Sequence, residues 1–123
     1  MPKRVLDVGN CSLDHGTIRS TLTRHFDCEV VQCHGPDDTL AALRGGKFDL
    51  VLVNRKLDED YSDGLEIIKQ IKADPQLAPV PTMLITNYPE HQAAAVAAGA
   101  DPGFGKLSVA TPETLELLEK FLK

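Results

Sequence analysis

The chain has 123 residues, 42% of them hydrophobic, which is enough for one compact domain to bury a continuous core without disulfides or metal ions. Its formal net charge of -5, with 13 basic residues scattered along the sequence, disfavours direct contact with nucleic acid. No run approaches the roughly 20 apolar residues that a membrane-spanning helix needs, and residues 1–4 lead into a short apolar run instead of a signal-peptide core. We therefore predict a single cytoplasmic domain over residues 1–123, with no membrane partner.

Cys11, Cys28 and Cys33 include no C-x-x-C pair and are interpreted as reduced thiols of the core.

Short apolar runs rich in β-branched residues predict the β-strands. Four of them are clear and a fifth is weaker: Arg4 to Val8, Glu29 to Cys33, Asp49 to Val53, Thr82 to Thr86, and the weak run from Gly103 to Lys106. Because near-continuous apolar runs indicate strands that are buried on both faces, we expect a parallel sheet.

Segments with helical periodicity alternate with these strands. Their predicted starts are Ser12, Pro36, Asp63, Asn87 and Thr111. Strands that alternate with helices imply right-handed crossovers, so the predicted fold is α/β. It is a doubly wound, five-stranded parallel sheet of order 2-1-3-4-5 in a flavodoxin-like three-layer sandwich.

Ligands of such a fold bind at the carboxyl ends of the strands. The residues at those ends are Gly9, Asn10, Asn54, Thr86 and Lys106. They are the candidate site residues of this sequence.

These positions and the segments around them carry a resemblance to a known family. The landmarks are Phe48 to Asn54, Asp63-Gly64-Leu65, Val80-Pro81 through Thr86, and Ala98-Gly99-Ala100-Asp101 leading to Lys106. Over essentially its whole length the chain resembles the CheY-like receiver domain of bacterial response regulators, which take part in two-component phosphorelay signalling. The resemblance implies an acidic pair after strand one, a phosphoacceptor aspartate after strand three, a Thr or Ser after strand four and a Lys after strand five.

The chain departs from this pattern at the acidic positions. Asn54 stands at the phosphoacceptor position, and Gly9 and Asn10 stand where the acidic pair belongs. An amide is a far poorer nucleophile than a carboxylate and cannot form the acyl phosphate. Without these carboxylates, tight Mg2+ binding is not expected either. We therefore predict a pseudo-receiver that is not an enzyme and holds no metal or cofactor.

Three residues at or near the site allow more than one interpretation. Thr86 and Lys106 match the switch hydroxyl and the phosphate-pairing lysine of the family. The alternatives are that Thr86 is an ordinary strand-end residue and that Lys106 hydrogen-bonds Asn54 or a loop carbonyl, and we expect Lys106 to point into the remnant pocket. Asp7 lies on the same side of its strand as Gly9, so it either returns an acid to the pocket or is a buried carboxylate held by hydrogen-bond donors. Asp14 is assigned to the first turn of a helix, where it favours the helix dipole, and not to the site.

The expected output surface is the face formed by the fourth helix, the fifth strand and the fifth helix, with Tyr88, His91 and Gln92 as candidate contacts. The resemblance implies a protein partner there, which is a kinase, a regulator or an output domain, and homodimerisation stays open. Phosphorylation-coupled switching is not expected, because the usual aromatic is replaced by Gly103 and the usual proline by Leu107. The alternative function is a small-ligand or nucleotide-binding flavodoxin-like domain.

Overall fold

The computed structural model describes residues 2–123 and confirms the predicted sheet. Its five strands are β1 (Lys3–Val8), β2 (Cys28–Cys33), β3 (Leu50–Asn54), β4 (Thr82–Ile85) and β5 (Asp101–Phe104), all parallel in the order β2-β1-β3-β4-β5. The helices are α1 (Ser12–His25), α2 (Pro36–Gly45), α3 (Leu65–Ala73), α4 (Pro89–Ala97) and α5 (Pro112–Leu122), with a short 3-10 helix at Lys106–Ser108. Within residues 2–123, no helix has the length and apolarity needed to cross a membrane.

Side chains of successive strand residues enter two separate cores, one on each face of the sheet. In β3, Leu50 and Leu52 pack with α1 and α5, whereas Val51 and Val53 pack with α2, α3 and α4. All four of these side chains are fully buried. The strand therefore has to be apolar on both faces, which explains its uninterrupted hydrophobic run.

Two of the predicted boundaries that differ from the structure affect the candidate site. The fifth strand ends at Phe104 instead of Lys106, so Lys106 begins the 3-10 helix. Helix α4 begins at Pro89 instead of Asn87, because a proline disfavours helical backbone in the residue before it and Tyr88 has φ -102° and ψ 119°.

The cysteines are free thiols, but they do not all lie in the core. Cys33 is buried and Cys28 is half-buried, whereas Cys11 is exposed just before α1. The interpretation of Cys11 as a core residue was therefore wrong. Cys11 lies in the loop between β1 and the first residue of α1, Ser12, where it is exposed to solvent.

Candidate functional site

An open cavity of about 470 Å³ lies at the carboxyl ends of the central strands. Four candidate residues line it: Gly9 after β1, Asn54 at the end of β3, Thr86 after β4 and Lys106 in the 3-10 helix. Parallel strands bring their carboxyl ends to one edge of the sheet, which is why residues so far apart in sequence share one cavity.

Asn54 is held in place as a hydrogen-bond donor. Its Nδ2 donates to the backbone oxygen of Gly9 at 3.2 Å and to that of Lys56 at 2.6 Å. The side chain is nearly buried, with 8% exposure. Both hydrogens of the amide are therefore used to tie the loop after β3 to the loop after β1, a task that an ionised carboxylate cannot perform because it has no donor.

Lys106 forms an ion pair with a residue that the sequence did not connect to it. Its Nζ donates to Asp14 Oδ2 at 2.8 Å, and both side chains are about one-third exposed. The hydrogen bond from Lys106 lowers the pKa of Asp14 from its usual 3.8. Lys106 lines the cavity as expected, but its partner is Asp14 and not Asn54 or a loop carbonyl. Asp14 itself also lines the cavity, which corrects its assignment to the helix dipole alone.

Asp7 belongs to a separate buried cluster beneath α1. Its carboxylate accepts from Asn10 Nδ2 at 2.5 Å and lies 2.7 Å from His15 Nδ1. Asp7 and Asn10 are fully buried, and neither lines the cavity. Burial raises the pKa of Asp7, and the hydrogen bonds from His15 and Asn10 offset part of that rise. Of the two interpretations offered for Asp7, the structure shows the carboxylate held by buried donors.

The family's magnesium ion does not fit these residues. The two carboxylates that line the cavity already have partners, since Asp14 is paired with Lys106 and Asp58 lies 3.2 Å from His34 Nδ1. Within residues 2–123 no three His, Cys, Asp or Glu side chains are grouped as metal ligands would be. A hard divalent cation needs several oxygen ligands, and Gly9 and Asn54 supply no carboxylate.

Position 103, where the resemblance implies an aromatic, has no room for a side chain. A Cβ atom at Gly103 would lie 2.3 Å from the backbone oxygen of Leu84 and 3.2 Å from Gln92 Oε1. Gln92 Nε2 donates to the Leu84 oxygen at 2.9 Å, and its Oε1 accepts from the Gly103 N–H at 3.0 Å. No larger side chain fits at position 103 while this bridge is in place. Thr86 is nearly buried beside it, and its Oγ1 accepts from Tyr88 N at 3.3 Å.

The three residues predicted as partner contacts do not have equal access to solvent. Tyr88 is 60% exposed and packs edge-to-face on His91, with ring centroids 5.7 Å apart. Gln92 is half-buried and bound on both sides, so it supports the surface and is not a free contact. Leu107, which replaces the usual proline, is 90% exposed in the adjoining 3-10 helix.

Several of the cavity residues that sequence reasoning missed lie in the loop after β3. They include Arg55, Lys56 and Tyr61. Lys56 Nζ lies 5.1 Å from the ring centroid of Tyr61, whose backbone φ is 59°. The available signal was the pair of basic residues directly after the acceptor position, since residues at the carboxyl end of a central strand line this edge of the sheet.

The fold is that of known receiver domains. The chain is similar to the signal receiver domain of a DNA-binding response regulator from Colwellia psychrerythraea, with 20% identity, 96% of each chain covered and a TM-score of 0.80. It is also similar to the chemotaxis response regulator CheY4 of Vibrio cholerae, with 22% identity, 99% of this chain and 100% of that chain covered and a TM-score of 0.75. A third similar structure is the phosphorylated cyanobacterial phytochrome response regulator RcpA, with 20% identity, coverage of 98% and 94% and a TM-score of 0.77. No protein family model and no curated protein sequence matches the chain.

Proposed function

We propose that this chain is a pseudo-receiver, a receiver-like domain of two-component signalling that binds a protein partner without being phosphorylated. The observation that carries the proposal is the hydrogen bonding of the Asn54 side chain. An amide that donates both of its hydrogens to backbone oxygens replaces the nucleophile that the reaction needs. The paired cavity carboxylates support the same conclusion, because they leave no ligand set for the metal ion.

The proposed partner surface is formed by Tyr88, His91 and Leu107. Tyrosine is enriched among the residues that contribute most of the binding energy of protein interfaces, and Leu107 adds an exposed apolar side chain. The proposed partner is a kinase, a regulator or an output domain in the cytoplasm, and a second copy of this chain is an alternative occupant. The bridge from Gln92 to Gly103 N and to the Leu84 oxygen supports a fixed surface, because with it in place there is no room for a switching aromatic at position 103.

Intact mass spectrometry after incubation with acetyl phosphate and Mg2+ tests the missing reaction. We expect no phosphoryl adduct on the protein. A receiver domain with an intact site, treated in the same way, serves as the positive control for the phosphodonor. A stable adduct on any Asp of this chain would refute the proposal.

Photo-crosslinking from single positions tests the partner surface. A photoreactive amino acid at position 88 should capture a defined protein partner in cells, or a second copy of the chain. Position 13 is the matched control, because Leu13 is 79% exposed on α1, outside the proposed surface. Equal capture from both positions would contradict the proposed surface.

A further inference from the structure

The cavity carries an excess of unpaired positive charge. Three cationic side chains, Arg55, Lys56 and Lys106, line it together with two carboxylates, Asp14 and Asp58. Both carboxylates are paired, with Lys106 and with His34. Arg55 and Lys56 form no salt bridge with any residue in the described range 2–123. With three cationic and two anionic side chains, the cavity carries one net positive charge, and its central positions, Gly9 and Asn54, are neutral.

Arg55 has an unsatisfied donor that points to a missing partner. Its Nε is buried and has no hydrogen-bond partner within residues 2–123. A buried donor without a partner costs on the order of 1 to 3 kcal/mol, and more when the group is charged. An acceptor that enters the cavity and reaches this guanidinium would recover that cost.

Uncharged donors in the same cavity complement the cations. Helix α1 has 14 residues and no side-chain cap at Cys11, which lines the cavity. Its first N–H groups carry a partial positive charge that favours an anion, and Asp14 already places one carboxylate in that first turn. The Thr86 hydroxyl uses its oxygen to accept from Tyr88 N, so its own hydrogen is free to donate.

Both tyrosines of the chain line this cavity. Tyr61 is 72% exposed and Tyr88 is 60% exposed, and each lines the wall. Exposed aromatic rings beside cationic side chains suit a ligand that combines a planar ring with an acidic group. The cavity volume of about 470 Å³ lies within the range of roughly 300 to 1,000 Å³ for small-molecule sites.

We propose that this cavity binds a small organic anion, a phosphorylated or carboxylated compound with a planar ring, directly and without a metal ion. Arg55 and Lys56 hold the acidic group, and the tyrosines contact the ring. The site shares Tyr88 with the proposed partner surface, but its anion-binding residues, Arg55 and Lys56, lie in the loop after β3 and are not part of that surface.

Phenyl phosphate and benzoate are suitable probes, because each is a minimal ring with one acidic group. Titration is followed by amide chemical shifts in two-dimensional NMR, in EDTA, on the whole chain. Phenyl phosphate should bind saturably with a dissociation constant of about 5 mM or tighter, as expected for a ligand of its size. Comparing the affinities of the two probes decides between a phosphate and a carboxylate ligand. Benzyl alcohol carries the ring without the acidic group, and inorganic phosphate carries the acidic group without the ring. Both of these controls should bind more weakly.

Charge-removing variants locate the site. Arg55→Gln and Lys56→Gln should each weaken binding of the better probe by about tenfold, the effect of losing one charge-assisted hydrogen bond. Arg19→Gln is the matched control, because Arg19 is exposed on α1 and does not line the cavity. Affinity should also fall when the salt concentration is raised from about 20 mM to about 200 mM.

Three results would overturn the proposal. The first is the absence of a saturable shift with either probe up to about 20 mM, well above the expected dissociation constant. The second is equal weakening by Arg19→Gln and Arg55→Gln. The third is binding that appears only when Mg2+ is added, which would indicate a metal site instead. A phosphoryl adduct from acetyl phosphate would refute the proposed function but not this site, so the two failures are distinguishable.

Discussion

Replacing Asn54 by aspartate should destabilise the protein, although it restores the acceptor residue of the family. The amide nitrogen lies 3.2 Å from the Gly9 oxygen and 2.6 Å from the Lys56 oxygen. In Asn54→Asp a carboxylate oxygen takes that place, so two hydrogen bonds are exchanged for contacts between oxygen atoms. Lys106 is already paired with Asp14, so it would offset the new charge only in part.

The size of the effect follows from these contacts. Each lost hydrogen bond costs about 1 kcal/mol, and an imperfectly paired carboxylate at 8% exposure adds about 1 to 2 kcal/mol. We expect the free energy of unfolding to fall by about 3 to 4 kcal/mol at neutral pH, which is a large part of the roughly 5 to 15 kcal/mol of a typical domain. Asn54→Ala is the matched control. It loses the same hydrogen bonds without adding charge, so it should cost about 2 kcal/mol at every pH.

Urea unfolding followed by circular dichroism at several pH values separates the two contributions. Burial and the facing carbonyl oxygens should raise the folded-state pKa of the introduced carboxyl. Its penalty is therefore absent below the unfolded pKa of about 4 and develops as pH rises through the folded pKa. Asn54→Asp should approach Asn54→Ala in stability at acidic pH and fall below it at neutral pH. If Asn54→Asp were as stable as wild type at neutral pH, this reasoning would be refuted, because the loop would then have rearranged to accept the charge.

Two further predictions concern the first strand and the residue after it. Gly9→Ala should lower the free energy of unfolding by about 1 to 3 kcal/mol, because Gly9 has φ 79° and its Cβ would lie 2.4 Å from Leu57 Cδ2. Gly16→Ala is the control, because a Cβ at this exposed position of α1 would have no atom within 4 Å. It should instead raise the free energy of unfolding by about 0.5 to 1 kcal/mol in the same urea assay. Equal effects of the two substitutions would contradict the strain at Gly9. The raised pKa of Asp7 means that the folded state binds more protons than the unfolded state, so its contribution to stability is present below pH 3.8 and is lost as pH rises through the folded pKa. The free energy of unfolding of wild type, relative to that of Asp7→Asn, should therefore fall as pH rises through the folded pKa of Asp7. A rise over the same pH range would show that the hydrogen bond to His15 outweighs burial.

Local patterns in the sequence were sufficient to predict most of the fold. The uninterrupted apolar run of β3 predicted a strand buried on both faces, and the Thr111-Pro112 pair marked the start of α5 within one residue. Such signals depend on periodicity and backbone preference within a few residues, so they are readable without knowledge of the rest of the chain. The position of Asn54 at the carboxyl end of a central strand followed from the same reasoning.

Which side chains meet at that edge was decided only by tertiary structure. Lys106 and Asp14 are separated by 92 positions, and Asn54 and the Gly9 oxygen by 45. No local pattern encodes these pairs, because each depends on how two loops from different strands approach one another. The sequence by itself determined that the acceptor position carries an amide. Only the fold showed that both hydrogens of this amide hold two loops together, and that Arg55, in the loop beside it, has a buried donor with no partner among residues 2–123.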